Sequence, residues 1–152
     1  MKLNLGACDR KLPGFISVDV IPPADEIADL SLPWPWEDSS VDEVIALDIV
    51  EHIGDRIHFM NELHRVLKPG SRATIETPNA SHGAGYFQDP THKSPWVMNS
   101  FQYFQDGSFA HNRLAKSYGI TARFRIASIS ERRYQDQHEE VWKITAVLEA
   151  IK

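Results

Sequence analysis

The chain is poor in several things that would direct a reading. Cysteine occurs once, at Cys8. A single thiol excludes an intrachain disulfide and a cysteine-rich zinc site, and it makes a reducing compartment, the cytoplasm, the expected location. No apolar run approaches the roughly 18 residues that span a bilayer, so no membrane segment is expected. Met1 to Gly6 lacks the basic stretch and apolar run of a signal peptide. Basic charge is also short: 16 Lys and Arg stand against 21 Asp and Glu, a net charge of −5. That balance argues against nonspecific attraction to nucleic acid, and no nucleic-acid partner is expected. Repeats, linkers and low-complexity stretches are absent. A chain of 152 residues then reads as one domain, 1–152, with ordinary globular composition.

What is present is a series of short strands ended by turn residues. Lys2–Leu5 alternates and stops at Gly6. Phe15–Val20 reads as a second strand before Pro22-Pro23, and Glu26–Leu30 as a short third. Leu32-Pro-Trp-Pro-Trp36 is a loop, because proline removes donors. Val41–Leu47 is near-continuously apolar after Glu43, the pattern of a strand buried on both faces. Ile57, Met60, Leu63 and Leu67 recur at three- and four-residue spacing, which predicts a helix over 57–67 that Lys68-Pro69-Gly70 stops. Arg72–Thr77 is a fifth strand. Residues 80–98, rich in Gly, Pro and His, read as a long functional loop. Ser100–Tyr118 is expected to contain a helix ending near Gly119. Ala122–Ser130 and Glu140–Leu148 read as closing strands joined by a polar loop. Strands alternating with helices predict an α/β, Rossmann-like sheet.

Two connections are short. Ten residues, Gly6 to Phe15, separate the first strands. Returning past a five-residue strand needs about 17 Å, and ten extended residues reach roughly 33 Å, so a crossover without a helix is feasible. Ile21–Asp25 is also too short for a helix. One sheet face is therefore expected to be short of helices. Since Val44–Leu47 and Ala73–Ile75 look apolar on both faces, something nonlocal must cover one of them: a second copy of the chain is the expected cover, giving a homodimer, with the chain's own 80–118 segment folded across it as the rival.

Three constellations carry chemistry. Leu3-Asn-Leu-Gly-Ala-Cys8 is followed by Asp19 at the end of the next strand. A glycine at a strand end lets backbone approach a ligand, and an acid after the second strand can accept from both ribose hydroxyls. Asp29 follows the third strand, where an acid could accept from an adenine amino group. Trp34 and Trp36 could flank a ring. Leu47-Asp-Ile-Val-Glu-His-Ile53 ends the central strand, where ligands of open α/β sheets bind. A fourth stretch, Asp89-Pro-Thr-His92-Lys93, lies in the long loop. Asp89 and His92 could be a base and its orienter, or join His82 or His111 around a metal, but no metal site is assigned.

In their order, these stretches resemble the class I S-adenosylmethionine-dependent methyltransferases. The resemblance runs through Leu3–Asp19, Ala28–Ile53, Glu62–Asn79, Asp89–Lys93, Phe101 with Tyr103-Phe104, and Trp142–Ile151. It implies a mostly parallel seven-stranded sheet with the last strand antiparallel. It implies S-adenosylmethionine as cofactor, held along Asn4, Leu5, Gly6, Ala7 and Cys8, with Asp19 and Val20 at the ribose. Asp29 and Leu30 would lie at the adenine, and Leu47 with the stretch Asp48 to His52 near the sulfonium. Two positions depart from the pattern: Cys8 stands where a second glycine is usual, and Ser71 follows Lys68-Pro-Gly. Methyl transfer to an oxygen or nitrogen of a small molecule or saccharide is the expected activity, with Asp48, His52 and His92 as catalytic candidates. The competing expectation is a noncatalytic domain of the same fold that binds cofactor or a partner.

Overall fold

The computed structural model describes residues 1–135 and 140–152. Seven strands form one sheet among them: β1 (Lys2–Leu5), β2 (Ile16–Asp19), β3 (Glu26–Ile27), β4 (Val41–Leu47), β5 (Leu67–Pro78), β6 (Phe124–Gln135) and β7 (Glu140–Ala150). Their order is β3-β2-β1-β4-β5-β7-β6. The first five pair in parallel, and β7 runs antiparallel to both its neighbours. The expected Rossmann-like sheet with its antiparallel last strand is the one observed. The polar connection expected between the closing strands includes 136–139, which lie outside the described residues.

The principal helix, α1 (Arg56–Val66), begins at Asp55, whose side chain accepts from the His58 amide. Its buried residues are Phe59, Met60, Leu63 and Val66. Truncating one of these to alanine would cost about 2–5 kcal/mol. The helix ends one residue earlier than its spacing predicts, and Lys68-Pro69-Gly70 belongs to β5 instead of a turn. Proline disfavours the α conformation in the residue before it, so Lys68 is already extended. Leu67 then pairs with Val41 at the start of a 12-residue strand.

The single helix expected in 100–118 is divided. A 3-10 turn covers Met98–Tyr103, and α3 (Phe109–Tyr118) follows after Gly107, which has φ +77°. Ser108 caps α3 through the His111 amide, and Gly119 closes it in the left-handed conformation. Residues 80–98 are not irregular throughout, since a 3-10 turn (Ala80–His82) and the short helix α2 (Ala84–Phe87) lie within them.

Register decides what faces what. One face carries Leu3, Leu5, Val18, Val44, Ala46, Ala73, Ile75, Ile144, Ala146 and Leu148, all buried in one core with the inner side of α1. Trp96, Phe101, Phe104, Ala115 and Ile120 join that same core. The opposite face reads Glu43, Arg72, Glu149 and Arg125 in one row and Asn4, Ile45, Thr74, Val147 and Ser128 in another. The expectation that the central strands are apolar on both faces is therefore corrected. Thr74, Glu76, Lys143, Thr145 and Glu149 alternate with Ile45, Leu47 and Val147 there. The two helix-free connections lie over this face at its β1–β2 end. Asn4 Nδ2 donates to the Arg10 carbonyl at 2.7 Å, and Asp25 accepts from both the amide and hydroxyl of Ser17 at 2.9 and 2.6 Å.

Candidate active site

The carboxyl ends of β1, β2, β3 and β4 share one edge of the sheet, where open α/β folds bind ligands. At that edge Gly6 has φ +64°, and a Cβ there would stand 2.6 Å from Cβ of Ile49. Only glycine fits. The turn continues to Cys8, exposed and at φ +49°. Its amide donates to Asp19 Oδ2 at 2.8 Å, and the Val20 amide donates to Oδ1 at 2.7 Å. Asp19 thus ties the end of β1 to the end of β2. Each carboxylate oxygen accepts about two bonds, so both retain a free lone pair. Asp29 accepts from the amide and hydroxyl of Ser31, which holds its carboxyl below the usual range.

Gly6, Asp19, Val20, Asp29 and Leu30 line one cavity of about 60 Å³ with Ala28, Ile49 and Ile53. Whole-ligand pockets run about 300–1,000 Å³, so this is a slot for one ring beside an open edge. Three other expected contacts point elsewhere. Leu5 and Ala7 are buried in the core side of the turn, and Asn4 is turned to Arg10. Cys8 and Leu47 adjoin the edge without lining the slot. Trp34 and Trp36 do not flank it either. Trp34 is buried edge-on against Phe59 and donates to the Leu30 carbonyl, and Trp36 donates to Glu26. Both indoles satisfy their N–H in the protein interior, which makes them core residues instead of ring clamps.

A second, larger cavity of about 350 Å³ lies at the end of β4, lined among others by Asp48, Glu51, His52, Asp89, His92, Tyr134 and Lys143. The structure brings Asp48, His52 and His92 together here. Asp48 has φ +54°, a conformation that costs a non-glycine residue about 1–2 kcal/mol. Its Oδ2 accepts from Lys143 at 2.5 Å, and its Oδ1 is buried without a partner among the described residues. Burial pushes the Lys143 ammonium down, but Asp48 and Glu76 outweigh it and hold the charge on. The rings of His52 and His92 meet edge to face, with centroids 4.8 Å apart. Nδ1 of His92 lies 2.6 Å from the Tyr86 carbonyl, so Nδ1 carries the proton and Nε2 the lone pair.

Glu51 lies inside the Leu47–Ile53 motif but is not among the catalytic candidates named from the sequence. It is 1% exposed, and burial pushes its carboxyl up to about 7 against the opposing bond from Thr77. Thr77 donates to Oε2 at 2.9 Å, while Oε1 has no partner among the described residues. Lys143, Glu76 and Tyr134 are also residues that sequence reasoning missed. The one signal was polar Lys143 amid the apolar positions of the last strand.

The loop over this cavity is more firmly held than its composition suggests. Lys93 and Ser94 both donate from their amides to the Glu51 carbonyl, at 2.8 and 3.0 Å, and Trp96 is fully buried. Gly85 serves close approach, since a Cβ there would stand 2.5 Å from Cγ1 of Val141. Of the histidines once grouped with Asp89, His82 stacks on Trp142 and faces Glu131, and His111 faces the Ala122 carbonyl. Neither reaches His92's cluster.

Residues 22–75 match the family described as "Methyltransferase domain". A Mycolicibacterium smegmatis protein named "Probable S-adenosylmethionine-dependent methyltransferase" is 42% identical over 53 residues, which is 35% of this chain and 19% of that protein. The chain thus matches about a fifth of that relative's length. Among solved structures, an S-adenosylmethionine-dependent methyltransferase of Methanosarcina mazei aligns with 99% of this chain and 92% of its own, at TM-score 0.67 and 13% identity. YcgJ of Bacillus subtilis aligns over the same shares at TM-score 0.68 and 13% identity. At such identities the structures speak for the fold alone. The sequence match to a methyltransferase domain thus lies on residues 22–75, and along the whole chain the fold is the one these methyltransferase structures share.

Proposed function

We propose that the chain binds S-adenosylmethionine along the carboxyl edge of β1, β2 and β3 and transfers its methyl group to an oxygen or nitrogen of a small molecule or saccharide. The observation that carries this reading is the slot in which Gly6, Asp19 and Asp29, from the ends of three strands, converge. Asp19 offers carboxylate lone pairs to ribose hydroxyls, and Asp29 offers one to an adenine amino group. The acceptor would enter the neighbouring cavity around Asp48, His52 and His92.

Methyl transfer is an in-line displacement: the carbon–sulfur bond breaks as the carbon–oxygen or carbon–nitrogen bond forms. The protein's main contribution is alignment and exclusion of water. A positive sulfonium beside Asp48 gains from that carboxylate, which the ion pair with Lys143 holds in place. The proton of the acceptor needs a base only where its pKa is high. Nε2 of His92 has the free lone pair for that task.

Titration of S-adenosylhomocysteine tests the cofactor half of the reading. Asp19→Ala removes charge-assisted bonds worth about 1.5–3 kcal/mol, so affinity should fall about 10- to 150-fold. Equal binding by Asp19→Ala and wild type would refute the ribose assignment. Turnover over a panel of hydroxyl and amine acceptors tests the catalytic half. A chain that binds S-adenosylhomocysteine yet methylates nothing, with His92→Ala no different, would favour the noncatalytic alternative.

A further inference from the structure

We propose that Glu51, His52 and His92 form a binding site for a divalent transition-metal cation. Glu51 and one ring nitrogen from each histidine lie within 4.8 Å of one another. Two imidazoles and one carboxylate are the donor set of catalytic zinc and of the two-histidine, one-carboxylate iron sites. Glu51 Oε1 points into the cluster, buried and, among the described residues, without a hydrogen-bond donor, 4.0 Å from His92 Nε2. A buried carboxylate oxygen with no partner is costly, and a cation there would satisfy it.

The surrounding contacts are those that orient metal ligands. Each of the three residues has another polar atom held by a neighbour, which leaves a remaining atom for the cluster. Thr77 donates to Glu51 Oε2, and the Tyr86 carbonyl takes the Nδ1 proton of His92. Thr91 Oγ1 lies 3.1 Å from His52 Nδ1 and donates its own proton to Asp89 Oδ1 at 2.7 Å. The hydroxyl therefore accepts from Nδ1, and His52 keeps its lone pair on Nε2. Asp89 Oδ2, 3.8 Å from His92 Nε2, is in reach as a fourth ligand. Ligands about 2.0–2.1 Å from zinc stand about 3.3 Å apart, so the widest separation must close by about 1.5 Å. His52 and Asp89 are both only half-buried, so both have room for that movement.

The site opens into the cavity at the end of β4, which leaves coordination positions for a ligand. Metal binding stands without the methyl-transfer reading. What rests on that reading is the next step, in which a hydroxyl acceptor binds the cation and loses its proton to water more easily, by the charge of the metal instead of by a histidine.

The test uses the full chain without a histidine tag, stripped with chelator and titrated with Co²⁺ and Zn²⁺. Co²⁺ should bind at one equivalent with visible d–d bands of low-symmetry coordination, and Zn²⁺ should displace it and raise the melting temperature. Glu51→Gln, which keeps the side chain's shape, and His52→Ala should each weaken binding at least tenfold. His82→Ala, outside the cluster, should bind as wild type does. Circular dichroism establishes that each variant is folded, and if one is not, the other decides. Absence of Co²⁺ bands at micromolar protein, or unchanged affinity in both cluster variants, overturns the site. S-adenosylhomocysteine binding measured in chelator separates the two proposals: its loss alone overturns the cofactor reading and leaves the metal site standing.

Discussion

At Gly6 and Cys8, two neighbouring residues share a left-handed backbone for different reasons. Gly6 needs both its φ of +64° and its missing side chain, because Ile49 fills the space. Gly6→Ala combines the left-handed penalty of about 1–2 kcal/mol with overpacking of about 1–3 kcal/mol. Urea unfolding should show a loss of about 2–5 kcal/mol. Cys8 has φ +49° but is exposed, so its side chain only burdens the backbone. Cys8→Gly should leave the protein as stable or more stable and should keep or improve binding of S-adenosylhomocysteine. A large loss of affinity would mean that the thiol contacts the ligand. Stability of Gly6→Ala equal to wild type would remove the close approach of Ile49.

At the scale of elements, the connection from β2 to β3 replaces a helix with one carboxylate. Asp25 accepts from the Ser17 amide and hydroxyl and pairs with Lys11. The Lys11 bond, with those from Ser17, holds its carboxyl well below the usual carboxylate range of 3.8. A depressed folded pKa gives stability that is present above the unfolded value and is lost as pH falls towards the folded one. The melting temperature of wild type should therefore exceed that of Asp25→Asn at neutral pH. The gap should hold down to about pH 5 and narrow as pH falls to about 2.5. A gap independent of pH would show that geometry, not charge, secures the connection.

For the whole molecule, the sheet is covered by helices on one side and is largely polar on the other. Glu149 accepts from both Arg72 and Arg125 across the row that includes Glu43. Such exposed pairs stabilise by at most about 1 kcal/mol each, but burying them against a partner would cost their hydration. The reason for expecting a homodimer, an apolar second face, is thus removed at this surface. Sedimentation at micromolar concentration should return the mass of one chain. A dimer mass would point instead to the β2–β3 edge, where Val20, Ile21 and Ile27 are exposed.

Most of the sheet and the candidate cofactor edge were legible in the sequence because their signals are local. Strand alternation, the Gly6 turn and Asp19 at the next strand end are written within 20 residues of each other. The ends of helices and strands were less legible, since Leu67 leaves α1 to pair with Val41, a choice set by the neighbouring strand. The same holds for the cavity at the end of β4. Asp48 and Lys143 are 95 positions apart, and they meet only because β7 pairs directly with β5. Glu51 meets His92 because the amides of Lys93 and Ser94 find the Glu51 carbonyl. The polarity of the second face also waited on register, which sets Thr74 and Val147 side by side. Sequence alone determined which segments are strands and where backbone must turn, because those depend on each residue and its near neighbours. Tertiary structure decided which charges and lone pairs face one another, because strand order and loop anchoring bring distant residues within a few ångströms.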